Sequence, residues 1–173
     1  IMKFDKIFLL GFMGCGKSTF GKKLAEQIGW NYIDLDNYIE KKEGKSIPTI
    51  FKENGETYFR NLETKFLKEL TSLHSCVISC GGGTPCYNHN MDIILKKGAS
   101  VYMKVAPHIL HERLKLEKTK RPLISGMTDS QMFTFIQNKL NERANYYQLS
   151  EFTFDAQLES EETFINRIND FII

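Results

Sequence analysis

The sequence IFLLGFMGCGKSTFGKKLAEQI, residues 7–28, decides the fold of this chain. It begins with an apolar run, continues through a glycine-rich turn and ends in a helical pattern with Phe20, Leu24 and Ile28 four apart. The turn matches the phosphate-binding pattern GxxxxGKS/T at all of its fixed positions, which are Gly11, Gly16, Lys17 and Ser18. The stretch therefore predicts a buried strand, a phosphate-binding loop and a helix.

The residue types in this turn suit a nucleoside triphosphate. Backbone N–H groups can surround a polyphosphate only where no Cβ intrudes, which accounts for Gly11, Gly14 and Gly16. Lys17 offers a mobile positive charge to the outer phosphates, and the Ser18 hydroxyl suits Mg²⁺. The following helix directs the positive end of its dipole toward the same anion. A chance glycine turn is the alternative, and the surrounding strand and helix argue against it.

Composition limits the class of protein. With 173 residues, 42% hydrophobic and 25% charged, the chain fits a single compact domain, 1–173. A formal net charge of +2 does not favour general nucleic-acid binding. No apolar run approaches the roughly 18 residues that a membrane-spanning helix needs. We therefore expect a soluble cytoplasmic monomer with neither nucleic-acid nor membrane partners.

Four cysteines are present, at positions 15, 76, 80 and 86. Cys15 lies inside the phosphate-loop pattern, and the other three lie around a predicted strand end. Because a chain of this length needs no covalent crosslink to fold, we expect reduced thiols. The alternatives are disulfide pairing and a zinc site formed by Cys76, Cys80 and Cys86, which lack a CxxC pair.

Beyond the first helix, strand and helix patterns alternate. The predicted strands are WNYIDL at 30–35, CVIS at 76–79, SVYMKV at 100–105 and FTFD at 152–155. The predicted helices cover about 37–42, 46–54, 57–73, 88–97, 107–118, 129–148 and 161–171. Five alternations predict an α/β three-layer sandwich, in which helices flank a five-stranded parallel sheet. Ligands bind at the carboxyl ends of such strands.

Two aspartates and three glycines follow strands at this edge of the sheet. Asp34 could hold Mg²⁺ through water beside Ser18, and Asp36 could accept a hydrogen bond from a substrate hydroxyl. The glycines at 81–83 would let a small ligand approach bare backbone. The alternatives are a polar strand end for Asp34, a helix N-cap for Asp36 and a tight turn for the glycines.

Three arginines, Arg60, Arg121 and Arg143, could complete a site. Arg60 lies three residues before Glu63 on a predicted helix, so their side chains should meet. Arg121 lies in the exposed loop TKRPLISG at 119–126. Each arginine alone is more often a surface residue. Together they suit a substrate with a carboxylate and a transition state with dispersed negative charge.

At this point the chain resembles the shikimate kinases over nearly its whole length. The resemblance rests on GFMGCGKST at 11–19, IDLD at 33–36, FRNLE at 59–63, VISCGGG at 77–83, KRPLI at 120–124 and ERANYY at 142–147. The phosphate loop alone occurs in many nucleotide-binding proteins. The order and spacing of DxD, RxxE, GGG and RPL is specific.

The resemblance implies a P-loop kinase fold with a substrate-binding segment at about 34–63 and a lid at about 115–127. It implies transfer of the γ-phosphate of ATP to the 3-hydroxyl of shikimate, in the chorismate route to aromatic amino acids. ATP contacts are implied for Gly14, Cys15, Gly16, Lys17, Ser18, Thr19, Arg113 and Arg121. Shikimate contacts are implied for Asp36, Arg60, Gly81, Gly82, Gly83 and Arg143. Mg²⁺ contacts are implied for Ser18 and Asp34, and catalytic roles for Lys17, Asp36 and Arg121.

One segment departs from the family pattern. Members often carry a proline in the loop before the last helix, where adenine packs, and here that loop reads DAQLESEE at 155–162. Two rival functions share the phosphate loop. One is a related small-molecule kinase such as a gluconate kinase, but Arg60, Gly82 and Arg143 together favour a carboxylated cyclic polyol as the acceptor. A nucleotide-dependent switch would need NKxD and DxxG motifs, which the sequence lacks.

Overall fold

A computed structural model describes residues 3–172 of the chain. The strands are β1 Lys6–Leu10, β2 Asn31–Asp34, β3 Cys76–Ser79, β4 Ala99–Lys104 and β5 Phe152–Asp155. The helices are α1 Lys17–Ile28, α2 Leu35–Glu43, α3 Ile47–Leu70, α4 Asn90–Lys97, α5 Pro107–Glu117, α6 Asp129–Tyr147 and α7 Glu161–Asn169. All strand pairs are parallel, in the order β2-β3-β1-β4-β5. This confirms the predicted fold class.

Every residue of β1 is buried because helices cover both faces of the sheet. Ile7 and Leu9 belong to a core cluster with residues of α1, α5, α6 and α7. Phe8 and Leu10 belong to a second cluster with residues of α2, α3 and α4. Successive side chains of a strand point to opposite faces, so an unbroken apolar strand can serve two cores.

The sheet brings separate parts of the sequence to one edge. β1 lies between β3 and β4, and β2 pairs with the other side of β3. Because all of these strands run in the same direction, the segments that follow them meet at their carboxyl ends. These segments are the phosphate loop after β1, the start of α2 after β2 and the glycines 81–83 after β3.

The second helix begins earlier than the sequence pattern predicted. β2 ends at Asp34, whose Oδ1 accepts a hydrogen bond from the backbone N–H of Asn37 at 3.0 Å. Asp34 is therefore the N-cap of α2, and the helix starts at Leu35. The alternative in which Asp36 caps the helix is wrong, because Asp36 lies inside the first turn.

α3 contains a break at Gly55, whose φ of 82° and ψ of 175° lie outside the helical region. The two helices predicted at 46–54 and 57–73 are thus the two sides of this break. Glycine tolerates such a conformation because it has no Cβ. The second side ends at Leu70, earlier than predicted.

The segment between α5 and α6 is a turn-rich connection, as its composition predicted. It opens with a 3₁₀ turn, Lys118–Lys120, and continues through further turns to the cap of α6. Ile124 is fully buried, whereas Leu123 beside it is 68% exposed. The connection is therefore anchored at one point and solvent-facing elsewhere. The lid predicted at 115–127 starts within the last turn of α5.

Candidate active site

A cavity of about 350 Å³ lies at the carboxyl ends of β1, β2 and β3. The phosphate loop and the start of α1 contribute Gly14, Gly16, Lys17, Ser18 and Thr19 to its wall. The other predicted residues that line it are Asp34, Asp36, Gly81, Gly82 and Arg121. The structure thus gathers residues from four distant parts of the sequence around one space.

The phosphate loop adopts backbone conformations that favour glycine. Gly11, Gly14 and Gly16 have φ values of 148°, 79° and 97°. α1 begins directly after Gly16, with neither a side-chain cap nor an acidic residue in its first turn. Lys17 Nζ donates hydrogen bonds to the carbonyl oxygens of Gly11 at 2.7 Å and Phe12 at 3.1 Å. The loop therefore offers uncapped N–H groups and a nearby cation to an anion.

The two aspartates have different environments. Asp34 uses Oδ1 to cap α2, and both aspartates line the cavity. Asp36 is half-buried, and its burial, together with the carboxylates of Asp34 and Glu63, raises its pKa from the usual 3.8 to about 6. Lys17 acts in the opposite direction. Asp36 is therefore more basic than an ordinary carboxylate, which suits a group that accepts a proton.

Three side chains lie close to the backbone of the glycine triplet 81–83. A Cβ on Gly82 would lie 2.8 Å from Arg143 Nη1. A Cβ on Gly83 would lie 2.8 Å from Arg60 Nη2, and one on Gly81 would lie 3.0 Å from Asp36 Oδ1. Distances under 3.0 Å require a shift of neighbouring atoms. The glycines at 82 and 83 thus let two guanidinium groups lie against bare backbone, and a Cβ at either position would displace the arginine there.

Arg60 is held by a buried carboxylate. Its Nη1 donates to Glu63 Oε1 at 2.9 Å, and Glu63 is completely buried. The other oxygen of Glu63 accepts a hydrogen bond from Thr84 Oγ1 at 2.6 Å. Burial disfavours the charged form of Arg60, but Glu63 outweighs it and raises the pKa of Arg60. The predicted pairing of Arg60 with Glu63 is present in the structure.

Arg143 lies next to Gly82, the middle residue of the triplet. Its Cζ is 5.4 Å from the ring centroid of Phe12, which belongs to the phosphate loop. One turn further along α6, the Tyr147 hydroxyl donates to the carbonyl oxygen of Gly82 at 2.6 Å. Tyr147 is fully buried, and its ring stacks on Tyr102 with 4.9 Å between centroids. The end of α6 therefore fixes the middle of the triplet.

Arg121 reaches the cavity from the turn-rich connection between α5 and α6. Its Nε and Nη2 donate to Glu117 Oε2 at 2.8 and 2.6 Å. Glu117 itself lines the cavity, in the last turn of α5. This ion pair holds the arginine at the cavity wall.

A second cavity, of about 280 Å³, adjoins the phosphate loop. Cys15, Gly16 and Thr19 line it on one side. Arg113 of α5 lines it as well, and its Nη1 donates to the carbonyl oxygen of Gly14 at 3.2 Å. Ala156 forms part of the wall, in the loop that lacks the proline. The structure therefore brings together the remaining residues that were predicted to contact ATP.

Sequence reasoning missed several residues of this region. Glu117 lies four residues before Arg121, and this helical spacing was a usable signal for the ion pair. Tyr147 and Thr84 gave no such signal. Their partners, Gly82 and Glu63, are 65 and 21 residues away in the sequence.

A sequence profile described as shikimate kinase matches residues 13–173. The chain belongs to the shikimate kinase family. Shikimate kinase of Bacteroides thetaiotaomicron is 40% identical over 151 residues, which cover 87% of this chain and 86% of that protein. Shikimate kinase of Parabacteroides distasonis is 38% identical over 168 residues, which cover 97% of each. The predicted resemblance is confirmed.

Solved structures agree with this placement. The crystal structure of shikimate kinase from Bacteroides thetaiotaomicron has a TM-score of 0.88 and 38% identity, over 95% of this chain and 96% of that one. The Acinetobacter baumannii shikimate kinase in complex with shikimate has a TM-score of 0.83 and 31% identity, over 96% and 92%. A gluconokinase from Sinorhizobium meliloti, at 18% identity and a TM-score of 0.56, shares the fold alone. The chain is an ATP-dependent kinase of the shikimate kinase family.

All four cysteines of the chain are free thiols. Cys15, Cys76 and Cys80 are buried and Cys86 is half-buried. Burial raises the pKa of the Cys76, Cys80 and Cys86 thiols. Within residues 3–172, no three His, Cys, Asp or Glu side chains form a group that could hold a metal ion. Over the same residues, every helix is too short or too polar to cross a membrane.

Proposed function

We propose that this chain transfers the γ-phosphate of ATP to the 3-hydroxyl of shikimate. The observation that carries the proposal is the close approach of two arginines, Arg60 and Arg143, to a glycine triplet whose first two residues line the same cavity as the phosphate loop, although neither arginine lines that cavity itself. A carboxylated acceptor and a triphosphate donor fit the two sides of this cavity. Membership of the shikimate kinase family supports the identity of the acceptor.

The donor half of the site suits ATP with Mg²⁺. The uncapped N-terminus of α1 and Lys17 can bind the phosphates, and the second cavity beside Arg113 can hold the base. Ser18 and Asp34 line the same cavity wall, and hard oxygen ligands of this kind fit Mg²⁺. When bound, Mg²⁺ neutralises charge on the phosphates and orients them.

The acceptor half suits shikimate. Arg60 and Arg143 can bind its carboxylate, because guanidinium groups pair with planar anions through two hydrogen bonds. The backbone of Gly82, next to Arg143, can contact the ring. Asp36 can accept a hydrogen bond from the hydroxyl that attacks the phosphate, and it can take the proton as transfer proceeds.

Phosphoryl transfer through a loose transition state depends mainly on position and on neutralised charge. Lys17 supplies one charge from the loop, and Arg121 supplies another from the connection between α5 and α6. Closure of that connection over the cavity excludes water, which would otherwise accept the phosphoryl group. All of these residues come from one chain, so we propose a single-domain monomer as the working unit.

An ADP-release assay tests this function. With ATP and Mg²⁺ present, we expect ADP release to depend on added shikimate and to yield a product phosphorylated at the 3-hydroxyl, identified by NMR. Equal ADP release without an acceptor, or a preference for gluconate, would contradict the proposal. Omission of Mg²⁺ should abolish turnover, which tests the metal separately.

A further inference from the structure

Tyr87, just after the glycine triplet, covers the guanidinium of Arg60. Its ring centroid lies 4.0 Å from Arg60 Cζ, and its hydroxyl donates to Glu56 Oε1 at 3.1 Å. The same Glu56 oxygen accepts hydrogen bonds from Nε and Nη2 of Arg60, both at 3.3 Å. The Tyr87 side chain, the Glu56 carboxylate and the Arg60 guanidinium therefore each contact the other two.

A glycine confines the same guanidinium. A Cβ on Gly83 would lie 2.8, 3.0 and 3.2 Å from Nη2, Nη1 and Cζ of Arg60. Both terminal nitrogens lie nearer to this Cβ position than Cζ does, so Gly83 borders the end of the group, between Nη1 and Nη2. The Tyr87 ring contacts the group as well, so the two residues together limit the movement of the guanidinium. Only 14% of the Arg60 side chain is exposed.

The hydrogen bonds of Arg60 leave two N–H donors of the guanidinium for a ligand. The group has five N–H donors. Glu63 accepts one from Nη1, and Glu56 accepts the Nε donor and one from Nη2. One N–H therefore remains on each terminal nitrogen, and these two donors are left for a carboxylate.

We propose that Tyr87 is a positioning residue for the carboxylate of the acceptor, an inference that rests on the proposed function. Its ring and hydroxyl hold Arg60 in the orientation that offers these two donors to shikimate. Cation–π contacts of this kind strengthen as the cation loses solvent. Asn88, the residue after Tyr87, connects this part of the chain to α3. Its Nδ2 donates to the Arg60 carbonyl oxygen at 3.2 Å and to Thr64 Oγ1 at 3.1 Å.

The test measures substrate binding and turnover for Tyr87→Leu, which removes both ring and hydroxyl. We expect a rise of roughly tenfold in the KM and in the calorimetric Kd for shikimate, with kcat and the KM for ATP within about twofold. Tyr87→Phe keeps the ring and should recover most of the affinity. Tyr146→Leu is the matched control, since Tyr146 is 38% exposed against 39% for Tyr87. Tyr87→Gln is a second truncation, suited to a half-exposed position, should the leucine variant fail to fold.

Two further measurements separate positioning from general packing. In an Arg60→Ala background, Tyr87→Leu should cause no additional loss of shikimate affinity, because its effect passes through Arg60. Affinity for the carboxamide analogue of shikimate should change little with Tyr87→Leu. Unchanged shikimate affinity in both truncations, or equal loss for the carboxamide, would overturn this inference alone. Absence of shikimate binding by the wild-type protein would overturn the proposed function and this inference together.

Discussion

The two halves of the candidate site use glycine for different physical reasons. In the donor half, Gly11, Gly14 and Gly16 have φ values between 79° and 148°, which residues with a Cβ rarely adopt. In the acceptor half, Gly82 and Gly83 have no such requirement, but arginine nitrogens lie where a Cβ would be. Substitution in the first half alters the backbone, whereas substitution in the second displaces a side chain.

The halves also differ in how the chain builds them. The phosphate-binding part of the donor half comes from one loop and the helix after it, within residues 11–19. The acceptor half comes from α2, α3, the segment after β3 and α6. A local motif can therefore specify phosphate binding, whereas the fold must assemble the acceptor site. The two halves should respond separately to mutation, except at residues that act on both.

Arg121→Ala should have the largest effect, because Arg121 lines the cavity and we propose that it acts on the phosphoryl group that passes between the halves. We expect kcat to fall by roughly 10²-fold or more, as for arginines that stabilise a phosphoryl-transfer transition state. Shikimate affinity, measured by calorimetry, should stay within about twofold. Lys120→Ala is the control, since it removes the neighbouring exposed cation. Near-normal turnover of Arg121→Ala would remove this residue from the mechanism.

Gly82→Ala should affect the acceptor half alone. Its new Cβ would lie 2.8 Å from Arg143 Nη1, so the arginine must move. We expect the KM for shikimate to rise by roughly 10- to 100-fold, in line with loss of a charge-assisted hydrogen bond. The KM for ATP should change little.

Gly44→Ala provides the control for this variant. Gly44 has a φ of 65° and open space around its Cβ position. Alanine there should lower the free energy of unfolding by about 1 kcal/mol without changing the KM for shikimate. An equal rise in both Michaelis constants for Gly82→Ala would show that the halves are not independent.

The fold and the donor half followed from the sequence because their signals are local. Apolar runs that alternate with helical periodicity predicted the five parallel strands. The start of α2 was misplaced because Asp34 ends a strand and caps a helix at the same position. The pattern could indicate either role, and only the hydrogen bond to Asn37 shows the cap.

The acceptor half could be inferred only in part. The sequence alone indicated that Arg60 meets Glu63, because the two are three apart on a helix. The roles of Arg143 and Gly82 came from family resemblance, since they are 61 positions apart and nothing local joins them. Tyr87 and Tyr147 remained hidden for the same reason. Their contacts exist only after α3 and α6 pack beside the glycine triplet.

Asp36→Asn should have a smaller, pH-dependent effect on stability. The pKa of Asp36 is raised to about 6 in the folded protein, from the usual 3.8, so its ionised form destabilises the fold. Above pH 6 the ionised carboxylate lowers the free energy of unfolding by its full amount. This loss decreases as the pH falls toward 4, because the folded protein takes up the proton before the unfolded chain does. We expect Asn to raise the free energy of unfolding by about 1–3 kcal/mol at pH 8 and by little at pH 4. Urea unfolding with a metal chelator, at both pH values, measures this.

The activity of the same variant shows whether Asp36 accepts the proton or only positions the acceptor. If Asp36 accepts the hydroxyl proton, as we propose, kcat should fall in Asp36→Asn and kcat/KM for the wild type should decline below pH 6. If Asp36→Asn keeps most of kcat and only raises the KM for shikimate, Asp36 positions the acceptor and another group receives the proton. A stability gain that is equal at pH 8 and pH 4 would contradict the raised pKa. Burial beside Asp34 and Glu63 would then not be the reason for the effect.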